Sequence, residues 1–379
     1  MPQNKGLIFK SVPTDWPVEG KDLTIEDRGF DLDAEPDKDG ITTKNYYLSF
    51  DPYQRGRMRA PEIASYSPPF ALGMPVTNSA VSKVLKSNNS KFKEGDIVTG
   101  ALPTEEYSSI SAEVANNMVR KLDNPYDLDA KLFVGALGMP GLTAYSSFYE
   151  IGEPKKGETI FISAASGAVG QIVGQLAKHE GLKVIGSVGS DEKLAFIRKE
   201  LNFDEGFNYK KENPSDALKR LAPKGIDVYF ENVGGEQLDA AIAAMNNFGR
   251  IIACGMVSQY NISDPNQRYG VKNLGAVVGK RLKMQGFIVG DANMGPKYAA
   301  DHQKNVAKWI SEGTFKAQQS VTVGIDNAIK GLLGMLKGEN FGKAVLTIEE
   351  MKVSPQKLGN SMLTVLVRTW HLYQALAAD

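Results

Sequence analysis

The stretch Ile162–Lys178, with the sequence ISAASGAVGQIVGQLAK, decides the fold because it joins an apolar run to a series of very small side chains. It overlaps the end of Thr159–Ser163, a short β-prone run that predicts a buried strand, and a helix is expected to continue as far as Lys178. In a strand, turn and helix of this kind, bare backbone in the turn lets a diphosphate approach main-chain N–H groups and the positive end of the helix dipole. The stretch therefore suggests a phosphate-binding loop.

The spacing of the small residues supports that interpretation. Ala165–Gly170 follows the pattern G-x-G-x-x-G, with alanine in the first position and glycine at Gly167 and Gly170. By itself the pattern is weak, since small residues between a helix and a strand also serve packing alone. Its position after a predicted strand, within a run of strand–helix units, favours a dinucleotide site.

The residues after the second predicted strand distinguish NAD from NADP. About 20 residues beyond such a loop, an NAD-binding fold carries Asp or Glu for the ribose 2′-hydroxyl. This chain has Gly186–Ser190 there, with no carboxylate to repel a 2′-phosphate. Lys193 follows in the first turn of the next helix, where it could supply a positive charge, and Tyr209 offers a hydrogen-bond donor. The sequence therefore favours NADP(H), with Lys193 as a merely exposed helix lysine as the alternative.

Two sequence patterns divide the chain. Residues 1–134 contain short β-prone runs separated by turn residues, which predicts a β-rich, partly barrel-like domain; the clearest runs are Tyr46–Phe50, Ala80–Leu85 and Gly95–Gly100. Over residues 135–312, strand-like and helix-like runs alternate, which predicts a parallel sheet with right-handed crossovers. The expected fold class is therefore α/β, with a β-rich domain and a doubly wound parallel sheet.

The second pattern gives individual elements. Strands are predicted at Thr159–Ser163, Lys183–Ser187, Val228–Glu231 and Arg250–Cys254, with helices from Asp191 and from Gln237. Residues 313–350 contain a predicted helix, Asp326–Lys337, and a strand, Lys343–Thr347, and are expected to return to the first domain. Residues 351–379 are predicted to be a C-terminal extension of unknown role, with Met362–Leu376 as a candidate helix.

Composition excludes several classes of function. Lys plus Arg and Asp plus Glu both number 44, so no net basic field favours nucleic acid as a partner. No segment approaches the roughly 18 uncharged apolar residues that span a bilayer, and no leader-like run opens the chain, so a cytoplasmic protein is expected. With one cysteine, Cys254, and 3 scattered histidines, no disulfide and no transition-metal site are expected.

A series of motifs lies between about residue 45 and residue 347. They are Asp51–Arg55 (DPYQR), Leu137–Tyr145 (LGMPGLTAY), Ala164–Gly170 (AASGAVG), Gly189–Lys193 (GSDEK), Phe207–Lys210 (FNYK), Glu231–Gly235 (ENVGG) and Gly338–Lys343 (GENFGK). Together these motifs resemble the zinc-free branch of the medium-chain dehydrogenase/reductases. Within that branch, the prostaglandin reductase and alkenal double-bond reductase group is the most similar.

The resemblance implies a GroES-like catalytic domain interrupted by a Rossmann domain, with NADPH in the cleft between them and a homodimer as the usual assembly. It also implies reduction of the carbon–carbon double bond of an α,β-unsaturated aldehyde or ketone. Zinc-dependent relatives polarise a carbonyl with a metal ion, whose ligands this chain lacks. Hydride would go to the β-carbon, leaving an enolate whose oxygen needs hydrogen-bond donors and whose α-carbon needs a proton.

The same motifs carry over candidate site residues. Tyr260 is the first candidate for donating to the enolate and Tyr53 the second, while a buried structural tyrosine is the alternative for each. The resemblance implies that the cofactor-binding residues are Gly167, Ala168 and Val169 at the diphosphate, Lys193 and Tyr209 at the 2′-phosphate, Asn232 and Asn340 near the nicotinamide half, and Met139 to Thr143 lining the cleft.

Several interpretations stay open at this point. Cys254 is expected to be a buried small hydrophobe rather than a nucleophile, and Glu231 is either a cofactor contact or a turn cap. Met284–Val289 resembles the edge strand by which family members pair, beside the basic stretch Gly279–Lys283. Quinone reduction and NADPH binding with little turnover are the alternatives to enone reduction.

Overall fold

Two large β-sheets organise the chain in the computed structural model, which describes residues 3–351. The strands are β1 (Lys5–Phe9), β2 (Leu23–Asp27), β3 (Ile41–Ser49), β4 (Thr77–Ser87), β5 (Ile97–Pro103), β6 (Tyr107–Ile110), β7 (Val119–Lys121), β8 (Thr159–Ile162), β9 (Lys183–Val188), β10 (Glu205–Asn208), β11 (Ile226–Glu231), β12 (Met245–Ala253), β13 (Lys283–Gly286), β14 (Gln319–Val323) and β15 (Lys343–Thr347). The helices are α1 (Tyr53–Arg57), α2 (Ala112–Met118), α3 (Met139–Glu150), α4 (Gly170–His179), α5 (Asp191–Lys199), α6 (Pro214–Leu221), α7 (Gly235–Ala244), α8 (Gly275–Gly279), α9 (Gly295–Ser311) and α10 (Ala328–Leu336).

The six-stranded sheet is wholly parallel, with the strand order β10-β9-β8-β11-β12-β13. The order reverses between β8 and β11, and at such a point the two neighbouring loops diverge and open a crevice at the carboxyl ends of the strands. The inner strands are buried almost throughout, as expected for a parallel sheet covered on both faces. The doubly wound parallel sheet predicted from the alternating pattern is confirmed.

The seven-stranded sheet combines both ends of the described chain. Its order is β14-β15-β3-β4-β5-β7, with β6 also paired to β3. Strand β15 runs antiparallel to β3, so that Val345 lies opposite Ser49, and β14 adds a parallel edge. Helix α10 contributes Ile329 and Leu332 to the hydrophobic core beneath this sheet. The exact domain boundaries at 134/135 and 312/313 stay predictions.

Several predicted elements differ from the structure in length, including the strand expected at Arg250–Cys254, which covers Met245–Ala253. The edge strand expected at Met284–Val289 covers only Lys283–Gly286, because the chain turns at Ile288, whose N–H donates to the Asp291 carboxylate at 3.1 Å. The helix expected from Asp326 begins at Ala328, after a short 3₁₀ turn. The candidate helix Met362–Leu376 lies outside the described residues.

Helix α4 starts immediately against the end of β8 because two of its residues have no side chain. A Cβ on Gly170 would lie 2.5 Å from the carbonyl oxygen of Ala164, and a Cβ on Gly174 would lie 2.0 Å from the ring of Phe203. Ala164 itself has a φ of 49°, a conformation that costs an L-residue energy and is common where a loop serves a ligand. Glycine is therefore required for the helix to begin beside the loop.

None of the helices within residues 3–351 combines the length and the apolar character that a membrane crossing needs.

Candidate active site

The glycine loop lies at the N-terminus of α4, where the sheet order reverses. Gly167, Ala168 and Val169 are consecutive, partly exposed, and directly precede the first helical residue. The N-terminal end of a helix carries a partial positive charge and free N–H groups, which suit a diphosphate. Gly167 also forms a bridge to Gly342, so the segment Gly338–Lys343 from the other sheet runs beside the loop.

A basic pair lies at the carboxyl end of β9. The Lys193 ammonium donates to the carbonyl of Gly338 at 2.8 Å, and burial together with the neighbouring Lys210 lowers its pKa. The hydroxyl of Tyr209 would lie 3.1 Å from a Cβ on Gly189, so its ring covers the bare backbone there. Two cations held near each other in this way favour an anion between them. Sequence reasoning assigned no role to Lys210, although it is the last residue of the motif Phe207–Lys210.

The ends of β8 and β11 are joined by side-chain hydrogen bonds. Asn232 donates its amide to the carbonyl of Ser163 at 2.7 Å and its N–H to the Ser163 hydroxyl at 2.9 Å. Glu231 is fully buried and accepts from the N–H groups of Val233 and Gly234, so it caps the turn. Burial raises the pKa of Glu231. These hydrogen bonds favour the turn cap over the cofactor contact as the role of Glu231.

The remaining predicted cofactor residues lie on two segments. Asn340 donates to the carbonyl of Gly342 at 2.6 Å, which stabilises the turn beside the glycine loop. Met139 and Thr143 lie one turn apart at the start of α3, and the Thr143 hydroxyl donates to the Met139 sulfur at 3.3 Å. These contacts hold both segments in shape without using the backbone of the glycine loop.

Tyr53 begins α1, directly after the buried end of β3. Its hydroxyl donates to the Asn78 Oδ1 on β4. Asn78 in turn donates to the carboxylate of Asp51 at 3.0 Å, and that carboxylate is paired with the ammonium of Lys343 at 2.9 Å. A continuous set of hydrogen bonds therefore leads from a buried ion pair to a half-buried phenol.

Tyr260 lies in a different setting, in the loop after β12. Its hydroxyl oxygen accepts from the N–H of Met256 at 3.3 Å and would lie 2.9 Å from a Cβ on Gly255. Burial raises the pKa of both Tyr53 and Tyr260, and Tyr66 contributes to both shifts. Tyr66 therefore lies within electrostatic reach of both, and all three phenols remain protonated at neutral pH because burial also raises the pKa of Tyr66.

Tyr66 was not predicted from the sequence. It stands in the loop after α1, which Arg59 braces by donating to the carbonyls of Gly56 and Ile63 at 2.9 and 2.8 Å and to that of Ser67. The side chain is 64% exposed, so it lies outside the core. No local pattern marks this position, because its electrostatic effect on Tyr260 links residues that are distant in sequence.

The prediction that Cys254 is buried holds for its thiol and is wrong for the residue as a whole. The residue is partly exposed, because β12 ends at Ala253 and the next side chain emerges at the carboxyl edge of the sheet. The thiol is nevertheless enclosed, and burial, reinforced by the charge of Glu231, raises its pKa to about 12. A thiol with that pKa is not a nucleophile at neutral pH, since the thiolate is the reactive form.

Within residues 3–351, no group of three or more His, Cys, Asp or Glu side chains is arranged to hold a metal ion.

The chain matches known families and proteins along most of its length. Residues 5–118 match the family described as "N-terminal domain of oxidoreductase", and residues 168–309 match the one described as "Zinc-binding dehydrogenase". The chain is 56% identical over 351 residues to NADP-dependent oxidoreductase RED1 of Cochliobolus heterostrophus, covering 93% of this chain and 99% of that protein.

Two further relatives bear on the same assignment. A 2-alkenal reductase (NADP(+)-dependent) of Nicotiana tabacum is 44% identical over 347 residues, covering 91% of this chain and 97% of that protein. The crystal structure of CurA from Vibrio vulnificus in complex with NADPH superimposes with a TM-score of 0.81 at 31% identity, covering 92% of this chain and 100% of that one. The family and the two-domain fold class predicted from the sequence are confirmed. The chain therefore belongs to the medium-chain dehydrogenase/reductase family, in its zinc-free group of NADP-dependent oxidoreductases.

Proposed function

We propose that this protein reduces the carbon–carbon double bond of α,β-unsaturated aldehydes and ketones, with NADPH as the reductant and without a metal ion. The observation that carries the proposal is the hydrogen bonding of Tyr260. Its oxygen accepts from the main chain of Met256, so its own proton is left for an oxygen in the cleft. Similarity to the tobacco 2-alkenal reductase supports the same substrate class.

The residues around the glycine loop fit NADPH. The bare backbone of Gly167, Ala168 and Val169 at the start of α4 suits the diphosphate. The cations Lys193 and Lys210 with the hydroxyl of Tyr209 suit the 2′-phosphate, since ammonium and phenol groups both donate to phosphate oxygens. We propose that Asn232, Asn340, Met139 and Thr143 lie towards the nicotinamide half.

The phenols handle the charge that reduction creates. When bound, NADPH supplies a hydride to the β-carbon of the substrate, which becomes an enolate. Tyr260 donates its O–H to the enolate oxygen, and a hydrogen bond of this kind strengthens as negative charge develops. A proton from solvent water then bonds to the α-carbon, so hydride and proton together saturate the double bond. Because Tyr260 is neutral at pH 7, it begins each cycle as a donor.

A panel of acceptors tests the substrate class. Consumption of NADPH and of NADH is measured with an alkenal, an enone and a quinone. We expect turnover of the alkenal and the enone with NADPH, and at least about tenfold lower kcat/KM with NADH. Turnover confined to the quinone would replace the proposal with quinone reduction. Tight NADPH binding without turnover of any acceptor would indicate an NADPH-binding protein.

Replacing Lys193 with alanine is expected to raise KM for NADPH by about 10- to 100-fold, because a charge-assisted hydrogen bond to phosphate contributes roughly 1.5–3 kcal/mol. KM for NADH should stay unchanged, since NADH lacks the 2′-phosphate. Lys199→Ala, in the exposed last turn of the same helix, is the matched control and should leave both values as they are. An equal loss with NADH and NADPH would contradict the assignment of Lys193 to the 2′-phosphate.

The homodimer and the cytoplasmic location that the sequence led us to expect are both proposals. Strand β13 is the edge of the parallel sheet, and we propose that a second copy of the chain pairs there to form a homodimer. A cytoplasmic location likewise stays a prediction.

A further inference from the structure

Asn78 can make its hydrogen bonds in one orientation only. It is buried at the start of β4, and its amide nitrogen donates to the carbonyl of Ser49 at 2.7 Å and to the carboxylate of Asp51 at 3.0 Å. Both partners can only accept, so the nitrogen must face them. The N–H of Ser79 donates to the Oδ1 at 2.8 Å, which requires the same orientation. The amide oxygen therefore faces Tyr53.

The ion pair behind Asn78 fixes this polarity. The Lys343 ammonium donates to Asp51 at 2.9 Å and to the carbonyl of Phe50 at 2.5 Å, and the side chains of Lys343 and Asp51 are 2% and 5% exposed. The hydroxyl of Ser49 also donates to the Asp51 carboxylate. An ionised carboxylate surrounded by donors offers Asn78 nothing but acceptor oxygen. The polarity runs outward from the ion pair to the amide.

The orientation of Asn78 determines how the Tyr53 hydroxyl is oriented. Its proton is directed to the Asn78 Oδ1, which leaves only lone pairs for other partners. Arg57, from the same helix, interacts with the phenol, and a guanidinium can only donate. Tyr260 has the opposite arrangement, since its oxygen accepts from Met256. The two tyrosines therefore present different groups to the cleft.

We infer that Asn78 is a positioning residue that holds Tyr53 as a hydrogen-bond acceptor, so that Tyr260, and not Tyr53, donates to the enolate oxygen. The division of roles rests on the proposed function. The orientation of the hydroxyl does not, because it is a property of the protein without substrate.

A titration of Tyr53 tests the orientation without turnover. The full chain carries 3-fluorotyrosine at position 53 only, and ¹⁹F NMR follows its ionisation. Charged or titratable groups near the phenol are Asp51, Arg57 and Tyr66. An acceptor that bonds to the neutral phenol raises its pKa, so Asn78→Ala should lower the midpoint by about one pH unit. A donor at Asn78 would give the opposite sign. A raised or unchanged midpoint overturns the inference.

Two further variants distinguish a specific shift in the Tyr53 midpoint from a general loss of structure. Asn45→Ala removes another buried asparagine of the same sheet, which bonds to Ser108 at 2.9 Å and does not contact Tyr53, and it should leave the midpoint unchanged. Asn78→Val keeps a branched side chain in the strand and removes the Oδ1 without offering another acceptor, so it should shift the midpoint as Asn78→Ala does. If Asn78→Ala does not fold, Asn78→Val decides.

Kinetics test the division of roles with whichever acceptor of the panel the enzyme reduces fastest. In a Tyr260→Phe background, Asn78→Ala should raise kcat at least about threefold, because the proton of Tyr53 is released to act as a donor. No recovery overturns the claim that Asn78 restrains Tyr53. If no acceptor is reduced, the proposed function fails, while the titration still decides the orientation.

Discussion

Replacing Tyr260 with phenylalanine is expected to lower kcat for an enone by about 10²- to 10³-fold, the loss typical of one donor removed from a developing oxyanion. The hydroxyl oxygen accepts from the N–H of Met256, and burial keeps the hydroxyl protonated, so phenylalanine removes a proton that this hydrogen bond does not use. KM should change less than kcat, because the hydrogen bond is stronger in the transition state than in the ground state. Steady-state rates of NADPH oxidation measure both constants.

Tyr298→Phe is the matched control for that loss. Its hydroxyl donates to Glu150 at 2.7 Å, between α9 and α3, and it has no contact with the cleft phenols. Activity should remain within about twofold of the unchanged protein. A Tyr260→Phe variant that keeps its kcat would show that another group stabilises the enolate. Tyr66 would then be the next phenol to replace.

The sequence allowed the fold to be predicted because its strongest signals are local. The strand, bare turn and helix around Gly167 lie within one short stretch, and Gly170 can be nothing larger beside Ala164. Order along the sheet then follows from the right-handed connections of alternating strands and helices. The errors are local as well: the side chain of Asp291 ends the edge strand early by capping the turn at Ile288.

The site was predicted less completely, because much of it depends on contacts distant in sequence. Lys210 becomes part of the site only because β10 pairs with β9, which brings Lys210 close to Lys193. Tyr66 affects the pKa of Tyr260 only because of how the chain folds, and Arg59 stabilises the loop that carries Tyr66. Tyr66 lies in none of the family motifs, and the motif Phe207–Lys210 does not by itself indicate that Lys210 lies near Lys193.

Asn78 shows the same limit from another direction. It lies in none of the family motifs, and 27 positions along the chain separate it from Asp51. Only the antiparallel pairing of β3 with β4 brings the two side chains together. Asparagine in a strand has a low β-propensity, which is a sequence signal that its polar group serves something other than the strand itself.

Replacing Lys343 with methionine is expected to lower the free energy of unfolding by about 3–5 kcal/mol, the cost of leaving a buried charge without its partner. The ammonium is 2.9 Å from Asp51, and both side chains are almost wholly buried. Burial lowers the pKa of Lys343, and Asp51 opposes that shift, so each charge depends on the other to remain in the protein interior. Urea unfolding followed by circular dichroism measures the loss.

The pH dependence and a second substitution identify the unpaired carboxylate as the cause. A buried carboxylate without a partner takes up a proton more readily, so the loss should be smaller near about pH 5 than near about pH 8. Adding Asp51→Asn removes the charge and should recover part of the stability, whereas Lys308→Met, which breaks an exposed pair with Glu312, should cost no more than about 0.5 kcal/mol. If neither lower pH nor Asp51→Asn reduces the loss of stability, the cause is packing and not charge. The packing concerned is that of the Lys343 side-chain methylenes against Gly135, since a Cβ on Gly135 would lie 3.1 Å from the Lys343 Cγ.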